Sequence, residues 1–208
     1  MREYGLIGFP LSHSFSQKYF TEKFLRDDIA DAAFLNFSIP QIQDVENIFT
    51  NHPQLKGLAV TIPYKKSIIK YIDEIDDTAK QIAACNCIKI HQQKKMGFNT
   101  DVVGFEKSFI KNLQPHHTKA LVLGTGGASY AVQFVLKKLG IDFLIVSRQA
   151  STNTIFYPDV TSDILHEYNI IINCTPLGTY PNSAEAPQLP YQFLNASNYL
   201  FDLIYNPP

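Results

Sequence analysis

A glycine-rich turn in the second half of the chain constrains the fold most strongly. Residues 124–129 read G-T-G-G-A-S and lie between the apolar segment 119–123 and the helical pattern 128–139. At such a strand-to-helix turn, glycines let the backbone approach a pyrophosphate, whose charge the N–H groups of the helix N-terminus hold. Ser129 occupies the third glycine position of G-x-G-x-x-G, and glycine-rich turns also occur for purely steric reasons. The turn therefore favours a dinucleotide site and leaves the steric alternative open.

The remainder of the chain alternates between strand-like and helix-like segments. Short apolar runs predict strands at residues 3–8, 33–39, 58–62, 87–90, 119–123, 143–146, 170–174 and 199–203. Helical spacing begins at Ser16 and recurs at residues 42–49, 76–84, 101–113 and 128–139. This alternation predicts an α/β fold with largely parallel sheets. The polar patch 114–117 is the candidate domain boundary or hinge.

Composition excludes several classes of partner. The 208 residues include 18 Lys+Arg and 19 Asp+Glu, for a formal net charge of −1. This balance gives no electrostatic reason to expect a nucleic acid or an acidic membrane surface as partner, and the apolar runs are too short to span a bilayer. Cys85, Cys87 and Cys174 form neither a zinc knuckle nor a C-x-x-C redox motif. We therefore expect a cytoplasmic protein that acts on a small molecule and holds no metal.

The end of the next predicted strand indicates which dinucleotide is bound. An NAD enzyme usually carries Asp or Glu there, about 20 residues after the glycine motif, to hold the ribose hydroxyls. This strand ends in Ser147-Arg148-Gln149, without an acidic residue. The planar guanidinium fork of Arg148 suits a 2′-phosphate. The position favours NADP, with a solvated surface arginine as the alternative.

Short polar clusters follow the apolar segments of the first half. Their chemistry-bearing side chains are Ser14, Ser16, Thr61, Lys65, Asn86 and Asp101. Because ligands of open α/β sheets bind at the carboxyl ends of the strands, these side chains are candidates to converge. Together they suit a small polyhydroxylated substrate that carries a carboxylate. The alternatives are structural: Ser16 and Asp101 as helix N-caps, Lys65 as a solvated lysine, and Asn86 as the cap of a turn.

Taken together, these motifs resemble those of the shikimate dehydrogenase family. The matching segments follow the family order over essentially the whole chain: S-F-S at 14–16, V-T-I-P-Y-K at 60–65, C-N-C at 85–87, N-T-D at 99–101, the turn at 124–129, N-C-T-P-L-G at 173–178 and D-L-I-Y-N-P at 202–207. The resemblance implies two lobes, an N-terminal α/β substrate-binding domain over residues 1–104 and a Rossmann-type NADP-binding domain with a parallel sheet over residues 105–208. It also implies an enzyme that reversibly reduces 3-dehydroshikimate to shikimate with NADPH, in the biosynthesis of chorismate and the aromatic amino acids.

The resemblance implies a role for each matching residue. The substrate would be bound by Ser14, Ser16, Thr61, Asn86, Asp101 and Tyr205, and the cofactor by Gly124, Gly126, Gly127, Ala128, Ser147, Arg148, Thr175 and Leu177. Lys65 and Asp101 would form the catalytic pair. During reduction the developing alkoxide needs a proton and a nearby positive charge, which a lysine supplies while a carboxylate orients it and relays the proton.

The chain departs from the family pattern in two respects. Ser147-Arg148-Gln149 stands where the family commonly has N-R-T. The family pattern also continues beyond the motif at 202–207, with helices that return to the first lobe. We therefore expect exposed apolar surface on the first lobe and weakened substrate binding. The alternatives are a quinate/shikimate dehydrogenase that uses NAD, and a truncated form that binds ligand but turns over poorly. The oligomeric state is either a monomer or a homodimer, and the sequence does not distinguish between them.

Overall fold

The structure of the chain, a computed structural model, describes residues 1–12, 14–149 and 154–204. It divides into two compact units, Met1–Thr100 and Asp101–Pro208, each built around one β-sheet. The α/β fold class predicted from the sequence is confirmed. The polar patch 114–117 lies inside the second unit, so the prediction of a domain boundary there is wrong.

The first unit contains a mixed six-stranded sheet. Its strands are β1 (Arg2–Gly8), β2 (Ala32–Ser38), β3 (Leu55–Val60), β4 (Glu74–Ile75), β5 (Cys87–His91) and β6 (Lys94–Phe98), and its helices are α1 (Ser16–Arg26), α2 (Val45–Asn51) and α3 (Asp77–Ile82). The spatial order is β2-β1-β3-β5-β6-β4. Strand β1 is parallel to β2 and β3, whereas β5 is antiparallel to β3 and β6. This sheet is therefore less parallel than the sequence predicted.

The β5–β6 hairpin is the source of that difference. Gln92 and Gln93 have positive φ angles of 49° and 65°, as the two central residues of a type I′ turn require. The sequence did not predict β6, because residues 94–98 (K-K-M-G-F) contain no β-branched side chain. Gly97 permits the strand, since a Cβ there would collide with Ile72 and Cys85.

Apolar side chains cover both faces of this sheet. The larger core contains Ile7, Val45, Leu58, Ile68 and Ile88, all essentially buried. On the other face, Phe20 of α1 stacks on Phe34 of β2 with ring centroids 4.6 Å apart. Next to this pair lies an apolar cavity of about 390 Å³, lined also by Tyr4 and Phe24.

The second unit contains an all-parallel five-stranded sheet. Its strands are β7 (Lys119–Leu123), β8 (Asp142–Ser147), β9 (Thr154–Phe156), β10 (Ile170–Asn173) and β11 (Tyr199–Asp202), and the helices are α4 (Thr100–Phe109), which begins at the last residue of the first unit, α5 (Gly127–Lys138) and α6 (Ser162–Glu167). The order β9-β8-β7-β10-β11 is the strand order of the Rossmann fold, with its topological switch point between β7 and β10. The Rossmann-type prediction is confirmed; β9 and α6 were not predicted.

An aromatic cluster attaches α4 to the edge strand β11. Phe109 is fully buried and stacks on Phe105 and Tyr199, with ring centroids 4.9 and 5.3 Å away. The Tyr199 hydroxyl donates to the Phe109 carbonyl at 3.0 Å. Aromatic pairs of this kind add to the free energy gained by burying their area, so the C-terminal end of α4 is held on the sheet.

His117 fixes the polar patch 114–117 in place. His117 is buried, with 7% of its surface exposed. Nδ1 accepts a hydrogen bond from the Gln114 N–H at 2.9 Å, and Nε2 donates to the Ser197 carbonyl at 3.2 Å. Burial lowers the pKa of His117 and the neighbouring His116 lowers it further, while the bond to Ser197 acts in the opposite direction. The neutral imidazole with its proton on Nε2 is therefore the form that this site holds.

We predict that the free energy of unfolding falls more steeply between about pH 8 and about pH 5 in the wild type than in His117→Asn. In the unfolded chain His117 takes up a proton near its ordinary pKa, whereas the folded chain resists protonation. The unfolded state then binds more protons as the pH falls, and stability is lost. Asn retains an acceptor for the Gln114 N–H and does not titrate. Chemical denaturation at both pH values measures the difference, and equal losses in the two proteins would contradict the prediction.

Candidate functional site

A cavity of the second unit lies at the carboxyl ends of its central strands. Its volume is about 760 Å³, within the range of small-molecule and cofactor sites. The ends of β7, β8, β9 and β10 and the residues that follow them line it. The lining residues are Gly124, Thr125, Gly126, Ser147, Arg148, Gln149, Tyr157, Cys174, Thr175, Pro176 and Leu177. The cavity therefore opens at the switch point, where ligands of open α/β sheets bind.

The turn after β7 depends on Gly124. Its φ is +99°, a conformation that side chains rarely adopt, and a Cβ there would lie 3.1 Å from Thr175 Cγ2. Gly126 is the N-cap of α5 and has extended backbone. A Cβ on Gly126 would meet no atom within 4 Å, so its absence leaves open space beside the helix N-terminus. This is a cradle into which a pyrophosphate fits.

The structure explains why Ser129 can occupy the third glycine position of the motif. It is completely buried, and its hydroxyl accepts a hydrogen bond from Gln133 Nε2 at 2.9 Å. The third glycine of the motif serves close packing of helix on strand, and a small side chain with a satisfied hydroxyl meets that need here.

The end of the cavity beside β8 is cationic. Ser147, Arg148 and Gln149 line it, and the Ser147 hydroxyl accepts from the Gln149 N–H at 3.3 Å. No acidic side chain is among the described residues that line this cavity. The described lining at this end thus offers a guanidinium and no carboxylate, and the preference for NADP stays a prediction.

Tyr157 and Cys174 line the cavity, although the sequence analysis gave neither of them a role in a site. The Tyr157 hydroxyl is buried with no hydrogen-bond partner among the described residues, and burial raises its pKa. Burial also raises the pKa of the Cys174 thiol to about 12. The thiol therefore stays protonated near neutral pH and is a wall of the cavity, not a nucleophile. Tyr157 lies outside both the glycine motif and the N-C-T-P-L-G motif, so no sequence motif marks it.

Other predicted cofactor residues fall in two places. Thr175 and Leu177 line the cavity from the loop after β10. Gly127 and Ala128 form the first turn of α5 and are not among its lining residues. Their contribution to a bound phosphate is limited to backbone N–H groups at the helix N-terminus.

In the first unit, backbone hydrogen bonds gather several predicted substrate residues at one edge of the sheet. The Thr61 N–H donates to Ile7 at 2.9 Å, and the Val60 N–H donates to the Asn86 carbonyl at 2.8 Å. The Cys85 N–H donates to the Lys65 carbonyl at 2.7 Å. Thr61, Lys65 and Asn86 thus belong to loops that are hydrogen-bonded to each other or to neighbouring strands.

Glycine makes the approach of these loops possible. A Cβ on Gly8, the last residue of β1, would collide with Thr61 Cγ2 and lie 2.8 Å from Leu11 Cδ2. The Phe9 N–H donates to the Ile62 carbonyl at 3.1 Å. The chain after β1 therefore lies directly against the chain after β3.

The side chain of Asn86 has a structural task. Its Oδ1 accepts from the Thr100 N–H at 2.8 Å, and its Nδ2 donates to Thr100 Oγ1 at 3.0 Å. These bonds satisfy the first backbone donor of α4. Asn86 therefore caps the start of α4, whereas the structural alternative in the sequence made it the cap of a turn.

Ser14 and Ser16 differ in their surroundings. Ser14 Oγ is buried and has no hydrogen-bond partner among the described residues. Ser16 is the first residue of α1, and the N-cap is Phe15, which makes no side-chain capping bond. The interpretation of Ser16 as an N-cap is wrong. Asp101 is likewise not a cap, because it lies in the first turn of α4, which begins at Thr100.

The remaining predictions concern Tyr205, metal binding and membrane-spanning segments. Tyr205, predicted to bind substrate, lies outside the described residues. The described part of the chain contains no group of three or more His, Cys, Asp or Glu side chains able to hold a metal ion. None of its helices is long and apolar enough to cross a membrane.

A parallel sheet with Rossmann strand order, a glycine turn at the switch point and a cavity above it define an α/β protein with a site of dinucleotide type. Residues 6–88 match the family model described as the shikimate dehydrogenase substrate binding domain. A protein named shikimate dehydrogenase (NADP(+)) from Methanococcus maripaludis is 36% identical over 220 residues, which cover 98% of this chain and 78% of that protein. The chain belongs to the shikimate dehydrogenase family.

Solved structures agree with this assignment. The shikimate dehydrogenase of Aquifex aeolicus superposes with a TM-score of 0.84 at 30% identity, covering 99% of this chain and 79% of that one. A shikimate dehydrogenase solved in complex with NADP⁺ superposes with a TM-score of 0.82 at 30% identity, covering 100% and 78%.

We predict that Gly124→Ala lowers the free energy of unfolding by about 1–3 kcal/mol, the usual cost of a strained backbone conformation. The added methyl group also presses on Thr175, so dinucleotide affinity falls as well. Gly126→Ala is the matched control: its methyl group enters open space, so stability stays near that of the wild type while dinucleotide affinity falls. Thermal denaturation and calorimetric titration measure the two effects. Equal stability of the two variants would contradict the prediction.

Proposed function

We propose that this chain catalyses the reversible, NADP-dependent oxidation of shikimate to 3-dehydroshikimate. The observation that carries the proposal is the cavity at the β7–β10 switch point, with a glycine cradle at one side and Arg148 at the other. Family membership supports the substrate, and relatives over 98% of the chain bear the name shikimate dehydrogenase (NADP(+)).

We propose that the first unit binds the substrate and the second the cofactor. Gly124 and Gly126 leave room for the pyrophosphate, and N–H groups at the start of α5 face its charge. Arg148 offers a bidentate partner to the adenosine 2′-phosphate. Thr175 and Leu177 line the nicotinamide side. When bound, the cofactor supplies or accepts the hydride.

The substrate would be held by hydroxyl and amide groups of the first unit. Ser14 Oγ, buried and without a partner among the described residues, is a hydrogen-bond donor suited to the substrate carboxylate, and Ser16 would assist it. Thr61 and Asn86 would bind ring hydroxyls.

Lys65 and Asp101 would carry the proton transfer. During reduction, the Lys65 ammonium donates a proton to the developing alkoxide and stabilises its charge. Asp101 would orient the amine and take part in the proton relay. Tyr205, from the family motif, would complete the substrate contacts.

The proposal is tested by steady-state oxidation of shikimate and of quinate, each with NADP⁺ and with NAD⁺. We expect kcat/KM to be highest for shikimate with NADP⁺. A preference for quinate with NAD⁺ would replace the proposal with a quinate/shikimate dehydrogenase. Nucleotide binding without turnover would replace it with a form that binds its ligands but is poorly active.

We predict that Lys65→Ala lowers kcat by about 10²–10⁴-fold, the usual contribution of a general acid, while the Kd for NADP⁺ stays unchanged. Lys66→Ala, the adjacent lysine, is the control and should retain wild-type turnover. Initial rates and nucleotide titration measure both parameters. A Lys65→Ala protein with wild-type kcat would contradict the catalytic assignment.

We predict that Arg148→Ala raises the Kd for NADP⁺ by about 10–100-fold, because charge-assisted hydrogen bonds to the phosphate are lost. The Kd for NAD⁺, which lacks that phosphate, should stay unchanged. Arg26→Ala, in α1 of the first unit, controls for loss of positive charge. Parallel changes in the two nucleotide affinities would contradict the role given to Arg148.

A further inference from the structure

The loop after β10 forms a wall between two cavities. Leu177 lines both the dinucleotide cavity and a second cavity of about 300 Å³. Because neither side of this wall is filled by protein atoms, packing alone does not fix the loop. Its conformation must depend on hydrogen bonds.

Asn173, the last residue of β10, supplies those bonds. The residue is 7% exposed. Its Oδ1 accepts from the Thr175 N–H at 3.0 Å and from Thr175 Oγ1 at 2.7 Å. Its Nδ2 donates to the Leu177 carbonyl at 3.2 Å. Thr175 Oγ1 in turn accepts from the Leu177 N–H at 3.2 Å, so one amide side chain organises Thr175 and Leu177, two of the loop residues that line the cavity.

Asp202, the last residue of β11, determines which way that amide faces. Asn173 and Asp202 are register partners in the parallel pair β10–β11. Asn173 Nδ2 lies 3.2 and 3.3 Å from the two Asp202 carboxylate oxygens. An ionised carboxylate only accepts hydrogen bonds, so the NH₂ group must face it and Oδ1 must face Thr175. Asp202 Oδ1 also accepts from the Ile204 N–H at 2.8 Å, which holds the carboxylate in place.

We propose that Asn173 and Asp202 are positioning residues that hold Thr175 and Leu177 in the conformation that binds the dinucleotide. The inference rests on the proposed function, since it concerns the same cofactor site. Neither residue needs to touch the adenosine phosphate, so their removal should weaken NADP⁺ and NADPH binding and NAD⁺ binding alike. This pattern differs from that of Arg148, which acts on NADP⁺ alone.

The test compares Asp202→Ala with the conservative Asp202→Asn. An amide at position 202 still offers an oxygen to Asn173 Nδ2 and to the Ile204 N–H, whereas Ala removes the group that orients the Asn173 side chain. We expect Asp202→Ala to raise the Kd of both NADP⁺ and NAD⁺ at least about tenfold, and Asp202→Asn to stay within about threefold of the wild type. At saturating nucleotide, the KM for shikimate should not change in either protein.

An exchange variant separates positioning from a general structural role. Asn173→Asp alone places two carboxylates side by side and removes the NH₂ donor, so nucleotide binding should fall strongly. When Asn173→Asp is combined with Asp202→Asn, the amide on the other strand restores the donor between the two positions. The carboxylate introduced at position 173 still accepts from Thr175. We expect the double variant to recover part of the nucleotide affinity, because the bond from position 173 to the Leu177 carbonyl stays lost.

Calorimetric titration with NADP⁺ and NAD⁺ is the primary readout, because it does not require turnover. Thermal midpoints identify variants that fail to fold. If Asp202→Ala folds and binds both nucleotides as the wild type does, or if the exchange variant recovers no affinity, the positioning role is overturned. If the wild type binds nucleotide but does not oxidise shikimate, the proposed function fails while the positioning role is still decided by the Kd values. If the wild type binds neither nucleotide, both are overturned.

Discussion

The left-handed backbone at Gly124 allows the turn after β7 to lie against Cys174 and Thr175 of the loop after β10. Those two loops flank the switch point of the parallel sheet, and the cavity that they enclose exists because no side chain separates them. The N-terminus of α5 is directed at the same place, since Gly126 and Gly127 begin the helix there. The shape of this cavity therefore depends on one residue without a Cβ, while Asn173 and Asp202 are hydrogen-bonded at the base of the opposite loop.

In the first unit, a glycine likewise allows two loops to approach each other. Gly8 lets the chain after β1 contact Thr61, and the hydrogen bond between Phe9 and Ile62 joins the two loops. The loops that carry Thr61 and Lys65 are also hydrogen-bonded to neighbouring segments. In both units, a glycine at the end of a strand removes the steric barrier to close approach of neighbouring loops.

The sequence predicted the parts of the molecule whose pattern is local. Segment 119–123 and the helix that begins at the glycine turn were placed correctly because apolar periodicity and glycine position carry the information. β6 was missed because its two lysines and Gly97 have low strand propensity, and tertiary contacts with Ile72 and Cys85 override it. The patch 114–117 resembles a linker in composition, but His117 hydrogen-bonds it to the Ser197 backbone, 80 residues away along the chain.

In the candidate site, too, the sequence predicted the residues marked by a local pattern and missed those that depend on tertiary contacts. Arg148 and the glycines are visible in the sequence because their chemistry requires a fixed spacing from a strand end. Tyr157, Cys174 and the Asn173–Asp202 pair depend on which strands are neighbours, and strand order is a property of the fold. Asn173 and Asp202 both belonged to recognised motifs, yet their partnership became visible only when β10 and β11 were paired in register.

The most direct test of the central claim follows the hydride itself. Shikimate that carries deuterium on the carbon of the oxidised hydroxyl group is incubated with this chain and NADP⁺, and the reduced nucleotide is analysed by mass spectrometry. We predict that NADPH forms and carries the deuterium from the substrate, because the reaction moves hydride directly between shikimate and the nicotinamide. Formation of no NADPH, or of NADPH without deuterium, would contradict the assignment.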